Sequence, residues 1–479
     1  MDRQACEQAL AEVEERLSGG EAAVDLEVER AGLLATLGRH EQARQAYLQI
    51  LAEHPGHFIA LNNFGVLLHE TNYVAAARTV FGEAVARHPQ QPLGHVNLAN
   101  LLVVQDELTL AREHLEIALR LDPDHIHAHQ LLSALLHEGG DWPAMREHRR
   151  RGFAIEPSRA YPCLGEGTPL PLLVLSSTPA ADTDWRRLVD NRRFAVTTLV
   201  AEFHPPGAPL PPHQLIFNSI GDADLAAADL QAAARLLAHS DAPVLNPPAR
   251  VLPTARVANA ERLGQLVGVR TPRLRSFDRA VLQRADAEAS LASAGLGFPL
   301  LLRSPGFHTG RHFVRVDEAA ALAVALAALP GPQLLAMQYL DARAADGAAR
   351  KYRVMMIDGC LYPLRLAISD DWKVHYATAG MRGQRARQVE EARFLAHMPE
   401  VLGERAMAAL QAIQASLGLD YGGIDFALDA TGNVLLFEAN AVMKIVPPDD
   451  SPEWDYRRPA VERATSAARQ LLLDRAHAD

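Results

Sequence analysis

Apolar, small and polar positions in the first third of the chain recur at an interval of 34 residues. Proline returns at Pro55, Pro89, Pro123 and Pro157. Small residues return at Ala31, Gly65, Ala99 and Ser133, and again at Ala43, Ala77 and Ala111 before Met145 breaks the series. Large apolar residues return at Tyr47, Phe81 and Leu115. Small residues recur where two helices must touch, and turns such as His54-Pro55-Gly56-His57 end a helix because proline cannot continue its hydrogen bonds. Each period therefore predicts a helix, a short turn and a second helix, in four units over about residues 24–159, after an N-terminal amphipathic helix. Stacked units of this kind line a concave face with their first helices. Asn63 and Asn97 hold equivalent places in successive first helices. Their amides are candidates for holding the backbone of an extended peptide; satisfying a nearby turn is the alternative of equal standing. His125, His127 and His129 are spaced by two, so the three do not converge on one helix face, and solvated helix-start histidines are expected rather than a metal site.

The periodicity lapses into a proline- and glycine-rich linker at residues 160–171. Short apolar runs at 172–175, 194–203, 215–218 and 243–246 then alternate with a helical pattern, which predicts a small, mostly parallel sheet. Asn218 and Asp222 fall at the end of one of these strands, where capping by Asp222 or Asp224 is the preferred reading over ligand binding. Near the C-terminus, YGGIDFALDATGNVLLFEANAVM (residues 421–443) reads as a β-hairpin turning at Thr431-Gly432. That register sets Asp425 opposite Glu438, Phe426 opposite Phe437 and Leu428 opposite Leu435, with Asn440 on the side of Glu438. Two carboxylates and an amide oxygen on one edge suit Mg²⁺ held against phosphate oxygens.

Composition narrows the classes. A net charge of -11 argues against non-specific nucleic-acid binding. Cys6, Cys163 and Cys360 are too few and scattered for a disulfide framework, and neither a signal peptide nor a membrane span is expected, so the expected compartment is the cytoplasm. The three lysines, Lys351, Lys373 and Lys444, all fall in the final third.

The 34-residue period and its residue pattern resemble the tetratricopeptide repeat family. FPLLLRSPGFHTGRHFVRV (residues 298–316) looks like the strand and phosphate loop of the ATP-grasp superfamily, with Arg303 where the family usually has Lys and with Gly306 and Gly310 in the loop. Residues 334–340 resemble the family's hinge strand, which places Gln338, Tyr339 and Leu340 against the adenine. ARKYRVMMIDG (residues 349–359) resembles the strand that supplies Arg353 and Lys351 to the phosphates and acyl substrate. Residues 361–381, with Arg365, Lys373 and His375, resemble the region around the acceptor. The spacing of Asp425, Glu438 and Asn440 resembles the magnesium hairpin of the D-alanine:D-alanine ligase and glutathione synthetase branches. The family's Pro-Gly turn after the asparagine is missing, and Lys444 is a candidate for a substrate carboxylate or the transferred phosphate.

The resemblance implies a multidomain fold: an all-α tetratricopeptide superhelix (1–159), the linker (160–171), an α/β pre-ATP-grasp domain (172–255) and an α+β, two-lobed ATP-grasp domain (256–479). It implies an ADP-forming carboxylate-amine ligase using ATP and Mg²⁺, acting through an acyl phosphate on a peptide or protein held by the repeats. A phosphotransferase without ligation and a non-catalytic adaptor with a degenerate clamp are the competing readings.

Overall fold

The computed structural model describes residues 3–20, 23–177, 181–307, 310–374, 380–449 and 451–477. The chain forms two compact units, one of residues 1–170 with 191–197 and 203–205, the other of the remainder.

In the first unit, α1 (Arg3–Ser18) precedes four helical hairpins. These are α2 (Val24–Thr36) with α3 (His40–Glu53), α4 (Phe58–Glu70) with α5 (Val74–Arg87), α6 (Pro92–Val104) with α7 (Leu108–Leu121), and α8 (Ile126–Gly139) with α9 (Trp142–Phe153). First helices start at 24, 58, 92 and 126 and second helices at 40, 74, 108 and 142, so both keep the 34-residue period. The repeated alanines Ala31, Ala43, Ala77, Ala99 and Ala111 are fully buried. At Gly65 a Cβ would stand 2.4 Å from the Phe81 ring, so the helices of that hairpin meet where only hydrogen fits. In the fourth repeat, Arg149 is buried and its guanidinium lies 5.7 Å from the centre of the Phe203 ring, on which Phe153 also stacks.

The asparagines form a ladder: Asn97 Nδ2 donates to Asn62 Oδ1 at 2.7 Å, and Asn62 Nδ2 to Asn63 Oδ1 at 3.4 Å. The histidines depart from the expectation of solvated side chains. His125 caps α8 by accepting from the Ala128 N–H at 3.3 Å, whereas His129 is buried with its Nδ1 2.7 Å from His148 Nδ1. The same pair occurs one period earlier, His95 Nδ1 lying 2.9 Å from His114 Nδ1. His95 Nε2 lies 3.0 Å from the Pro89 carbonyl and His129 Nε2 2.9 Å from that of Pro123. A carbonyl only accepts, so each Nε2 carries the proton, each facing Nδ1 accepts, and His114 and His148 donate. Double protonation would set two N–H groups against each other.

Burial is the leading cause that holds His114, His129 and His148 below the ordinary histidine range, and the partner ring adds repulsion at His114 and His148. The unfolded chain, titrating near about 6.5, then binds more protons than the folded one, so the stabilisation is complete above that pH and lost as pH falls through the lower folded values. Far-UV melting should show a less stable array at pH 5 than at pH 7. The double variant His114→Asn/His148→Asn should flatten that slope; an identical slope would mean the pairs are not its source.

β1 (Ser158–Tyr161) and β3 (Phe194–Val200) are neighbours. The expected strand over 194–203 thus stops at Val200, and Ala201–Phe203 winds into a 3-10 turn. In the second unit β2 (Leu170–Ser176), β4 (Leu215–Asn218) and β5 (Val244–Leu245) run parallel, with Leu173 opposite Ile216 and Phe217 opposite Leu245. Leu172–Leu175 are fully buried, as an apolar run in a parallel sheet should be.

Two further sheets follow. The first lobe orders its strands β7 (Leu274–Asp278), β10 (Gln333–Gln338), β8 (Leu300–Arg303) and β9 (Phe313–Val316). Leu300, Leu302, Leu334 and Ala336 on one face share a core with the helices Ala287–Ser293 and Leu322–Ala328. Leu274, Leu301, Leu335 and Met337 form a separate cluster on the other face. The second lobe orders β12 (Cys360–Ser369), β11 (Ala349–Ile357), β13 (Tyr421–Leu428), β14 (Val434–Asn440) and β6 (Val269–Arg270).

Two buried polar hubs fasten this unit. Asn246, held at φ 51°, donates to the Tyr421 carbonyl at 2.6 Å and accepts from the Asp420 and Tyr421 N–H groups, tying the end of β5 to the start of β13. Glu391, fully buried, accepts from Tyr456 Oη at 2.6 Å, from Arg457 Nη2 at 2.6 Å and from the Leu366 N–H at 3.3 Å. Among the described residues no helix is long and apolar enough to cross a membrane.

Candidate active site

The hairpin of β13 and β14 pairs Asp425 with Glu438 and Gly423 with Asn440, as expected. Beyond Asp425 the register shifts: Phe426 faces Leu436 and Leu428 faces Val434, not Phe437 and Leu435. A β-bulge is the reason. Phe437 is the extra residue on β14; it packs beside Ala342 and Ala349, while Phe426 enters the main core and stacks on Tyr352 at 5.3 Å. The turn is shaped by Asp429, whose Oδ1 accepts from the Thr431 N–H and Asn433 N–H at 2.9 Å each, with Gly432 at φ 78°.

The bulge keeps both acids and the amide on one edge. Asn440 Nδ2 donates to Glu438 Oε1 at 2.9 Å, and its Oδ1 accepts from the Val442 N–H at 3.1 Å. Asp425 is buried and lies opposite Arg353 of β11, which grips it through Nε at 2.7 Å and Nη2 at 2.9 Å; Lys351 Nζ adds a contact at 3.0 Å. Burial alone would oppose ionisation of Asp425. Arg353 and Lys351 outweigh it and hold the carboxyl well below the usual range.

Glu438 meets a cation of its own. Arg256, at the start of the helix Arg256–Leu263, reaches Glu438 Oε1 at 2.7 Å, and its backbone N–H donates to Asp224 Oδ2 at 3.0 Å. Asp222 Oδ2 lies 3.9 Å from the same guanidinium. Burial penalises the Arg256 charge, but Glu438, Asp222 and Asp224 more than restore it. Asp222 also receives the Asp224 and Leu225 N–H groups at 2.9 and 3.0 Å, which closes a turn; the following helix, Ala227–Leu237, has Ala226 at its N-cap and no side-chain cap, so neither Asp222 nor Asp224 plays the expected capping role. Asn259, one turn into the helix, donates to the Ala439 carbonyl at 2.7 Å and seats it along β14. Sequence reasoning passed over Arg256 and Asn259. The available signal was a cation at a helix N-terminus, where the macrodipole disfavours it unless carboxylates compensate.

Arg303 stands at the end of β8, within electrostatic reach of Arg256, Glu438, Asp222 and Asp224. Its guanidinium donates to the Phe307 carbonyl, and burial followed by repulsion from Arg256 brings it down to about 10, so it stays charged at neutral pH. Gly306 and Gly310 sit at φ 89° and 75°, in the left-handed region that a loop built for close backbone approach requires. At the end of β10, the Gln338 N–H donates to the Arg273 carbonyl at 2.8 Å, and the Arg315 guanidinium lies 4.4 Å from the centre of the Tyr339 ring. Leu340 is half-buried beside Phe437. His375 lies outside the described residues.

After Asn440 the backbone is pinned. Thr183 Oγ donates to the Ala441 carbonyl at 2.7 Å and Tyr421 Oη to that of Met443 at 2.9 Å, while a Cβ on Gly221 would come within 2.7 Å of Ala441 C. Lys444, immediately beyond, is exposed.

These walls enclose a recess of mixed character. Asp222, Asp224, Arg256, Glu438 and Asn440 line one part; Pro272, Leu274, Met337 and Leu436 line another. Asp425 stands behind the polar part, joined to it through the β13–β14 pairing. Asn63 and Asn97 belong to the first unit and are not part of this constellation.

No protein-family model matches the sequence, and no curated protein is similar to it at a significant level. Among solved structures, the first unit is similar to a fragment of MamA from Desulfovibrio magneticus RS-1, with 24% identity, covering 32% of this chain and 87% of that one at a TM-score of 0.28. It is also similar to pilF of Pseudomonas aeruginosa, with 22% identity, 31% and 68% coverage and a TM-score of 0.29. A RimK-domain ATP-grasp protein from Sphaerobacter thermophilus matches 64% of this chain over its whole length, with 17% identity and a TM-score of 0.39. In architecture the chain is an array of helical hairpins at a 34-residue period followed by mixed α/β sheets.

Proposed function

We propose that the second unit is an ATP-dependent ligase that joins a carboxylate to an amine, with a peptide or protein substrate presented by the repeat array. The observation that carries this reading is the β13–β14 edge, which gathers Asp425, Glu438 and Asn440 beside the cations Arg256, Arg353 and Lys351, next to the apolar side chains of Pro272, Leu274, Met337 and Leu436. Asp425, Glu438 and Asn440 offer oxygen donors; Asp425 is committed to Arg353 and Lys351, whereas Glu438 and Asn440 open on the recess, and these two would hold Mg²⁺ with water and phosphate oxygens completing its shell. Bound there, Mg²⁺ would neutralise charge on the β- and γ-phosphates.

Every other part of the chemistry falls to this chain's residues. Arg303, Arg353 and Lys351 supply positive charge around the phosphates, and Gly306 and Gly310 let loop N–H groups approach their oxygens. Of the three residues of the expected hinge, Gln338 already spends its N–H on the Arg273 carbonyl, so Tyr339 and Leu340 would present backbone groups to the base. A substrate carboxylate oxygen attacks the γ-phosphorus and ADP leaves. An amine then attacks the acyl carbon, an amide bond forms, and phosphate departs with a proton lost from nitrogen. Such transfer requires positioning, charge balance and exclusion of water rather than a protein nucleophile. Lys444, exposed after the pinned Ala441–Met443 segment, would meet a substrate carboxylate or the transferred phosphate. Asn63 and Asn97 would meet the backbone of the presented peptide, once freed from the ladder through Asn62.

The test is to incubate the full chain with Mg-ATP and a peptide library from its own cell, following ADP and peptide mass. ADP release coupled to mass gain on peptides is expected. ADP without any new amide bond would turn the assignment to a phosphotransferase, and the absence of both nucleotide binding and turnover would leave an adaptor.

A further inference from the structure

The first-lobe sheet has one face packed on helices and another on which Leu274, Leu301, Leu335 and Met337 cluster. Leu274 and Met337 also line the recess, so this second face is the cleft wall. The cluster takes in Trp372, which belongs to the other lobe, just beyond the end of β12. Its indole meets Phe313 of β9 edge-on with ring centres 5.7 Å apart and Tyr339 of the hinge with centres 6.3 Å apart. The next residue completes the grip: Lys373 Nζ donates to the Phe313 carbonyl at 3.3 Å, and its Cε would stand 3.0 Å from a Cβ at Gly310.

The turn that carries these two side chains is built to hold them out. Ser369 Oγ accepts from the Asp371 N–H at 3.1 Å, Asp371 Oδ1 from the Lys373 N–H at 3.3 Å, and Arg387 Nη2 donates to Asp370 at 2.6 Å. A half-buried tryptophan on a hydrogen-bonded turn, seated on another lobe's sheet, joins the two lobes at one spot. That spot is β9 and Gly310, the far side of the phosphate loop from Arg303.

We infer that Trp372, with Lys373, is a positioning residue for the nucleotide: it clasps β9 and Gly310 to the second lobe and thereby sets the loop at the height that phosphate binding needs. This rests on the ATP reading of the recess. Neither side chain touches the reacting atoms in this role. Its loss therefore weakens nucleotide binding through loop position and leaves the charged groups at Glu438 and Asp425 in place.

The experiment compares the full-length wild type with Trp372→Ala, Trp372→Phe and Lys373→Ala, reading amide hydrogen exchange in β9 without nucleotide and the Kd for Mg-ATP by calorimetry. In Trp372→Ala, exchange in β9 accelerates and Kd rises about tenfold, the size expected from losing two edge-on ring contacts. Trp372→Phe restores most of both, because a smaller ring still reaches Phe313, and the nucleotide-free melting temperature stays near that of the wild type. Unchanged exchange in β9 in a protein whose wild type binds Mg-ATP overturns the clasp alone. Accelerated exchange in a protein whose wild type binds no nucleotide overturns the positioning role together with the ATP reading. A loss of melting temperature that Trp372→Phe does not rescue makes the residue a packing element and also overturns it.

Discussion

Glu438→Gln should leave the fold standing and remove nucleotide turnover by on the order of 10²–10³-fold, the range seen when one preorganised charge-stabilising group is lost. The substitution is nearly isosteric. Asn440 can still donate to the amide oxygen, and with 25% of its side chain exposed the position tolerates a neutral group. What disappears is one negative charge facing the polar part of the recess. That charge balances Arg256 in the nucleotide-free protein and would hold Mg²⁺ in the loaded one. The wild type should gain about 2.7 kcal/mol of stability from Mg-ATP at a hundred times Kd, since ligand that binds only the folded state stabilises by mass action. Most of that gain should vanish in Glu438→Gln, while the melting temperature without nucleotide moves little. ADP assay and thermal denaturation read the two effects separately. Equal turnover and equal Mg-ATP stabilisation in the variant would end the ligase reading.

Glu391→Ala should destabilise the second unit by about 3–5 kcal/mol, because it leaves a buried guanidinium without its counter-charge. Glu391 is fully buried and the Arg457 side chain is 9% exposed, so water cannot replace the lost carboxylate. Arg457 also lies 3.8 Å from the centre of the Trp454 ring, which keeps it in place rather than letting it swing out. Tyr456 and the Leu366 N–H lose their acceptor at the same time. Urea unfolding measures the loss. The double variant Glu391→Leu/Arg457→Met should recover a large part of it, since removing both charges removes the imbalance. A single variant that unfolds like the wild type would show that the pair contributes nothing.

The array was legible because its signal is periodic: Gly65 against Phe81 and the alanines around it repeat a steric demand that any 34-residue comparison exposes. The hairpin was legible for a similar reason, since strand alternation puts Asp425, Glu438 and Asn440 on one edge whatever surrounds them. The bulge at Phe437 was not, because inserting one residue depends on where two aromatic rings find cores, which is a tertiary matter. Arg256 escaped for the complementary reason. Its partners Asp222, Asp224 and Glu438 come from segments far apart in the chain, and no local rule joins them. His129 was misplaced because its neighbour is His148, on the next helix, whereas spacing along one helix considers only its own faces.

The unbroken interval between helix starts in the array has a mechanical consequence. Since every hairpin begins after the same number of residues, no connection carries spare length that could serve as a joint. Bending is therefore expected to be spread over the inter-repeat contacts rather than concentrated at one joint.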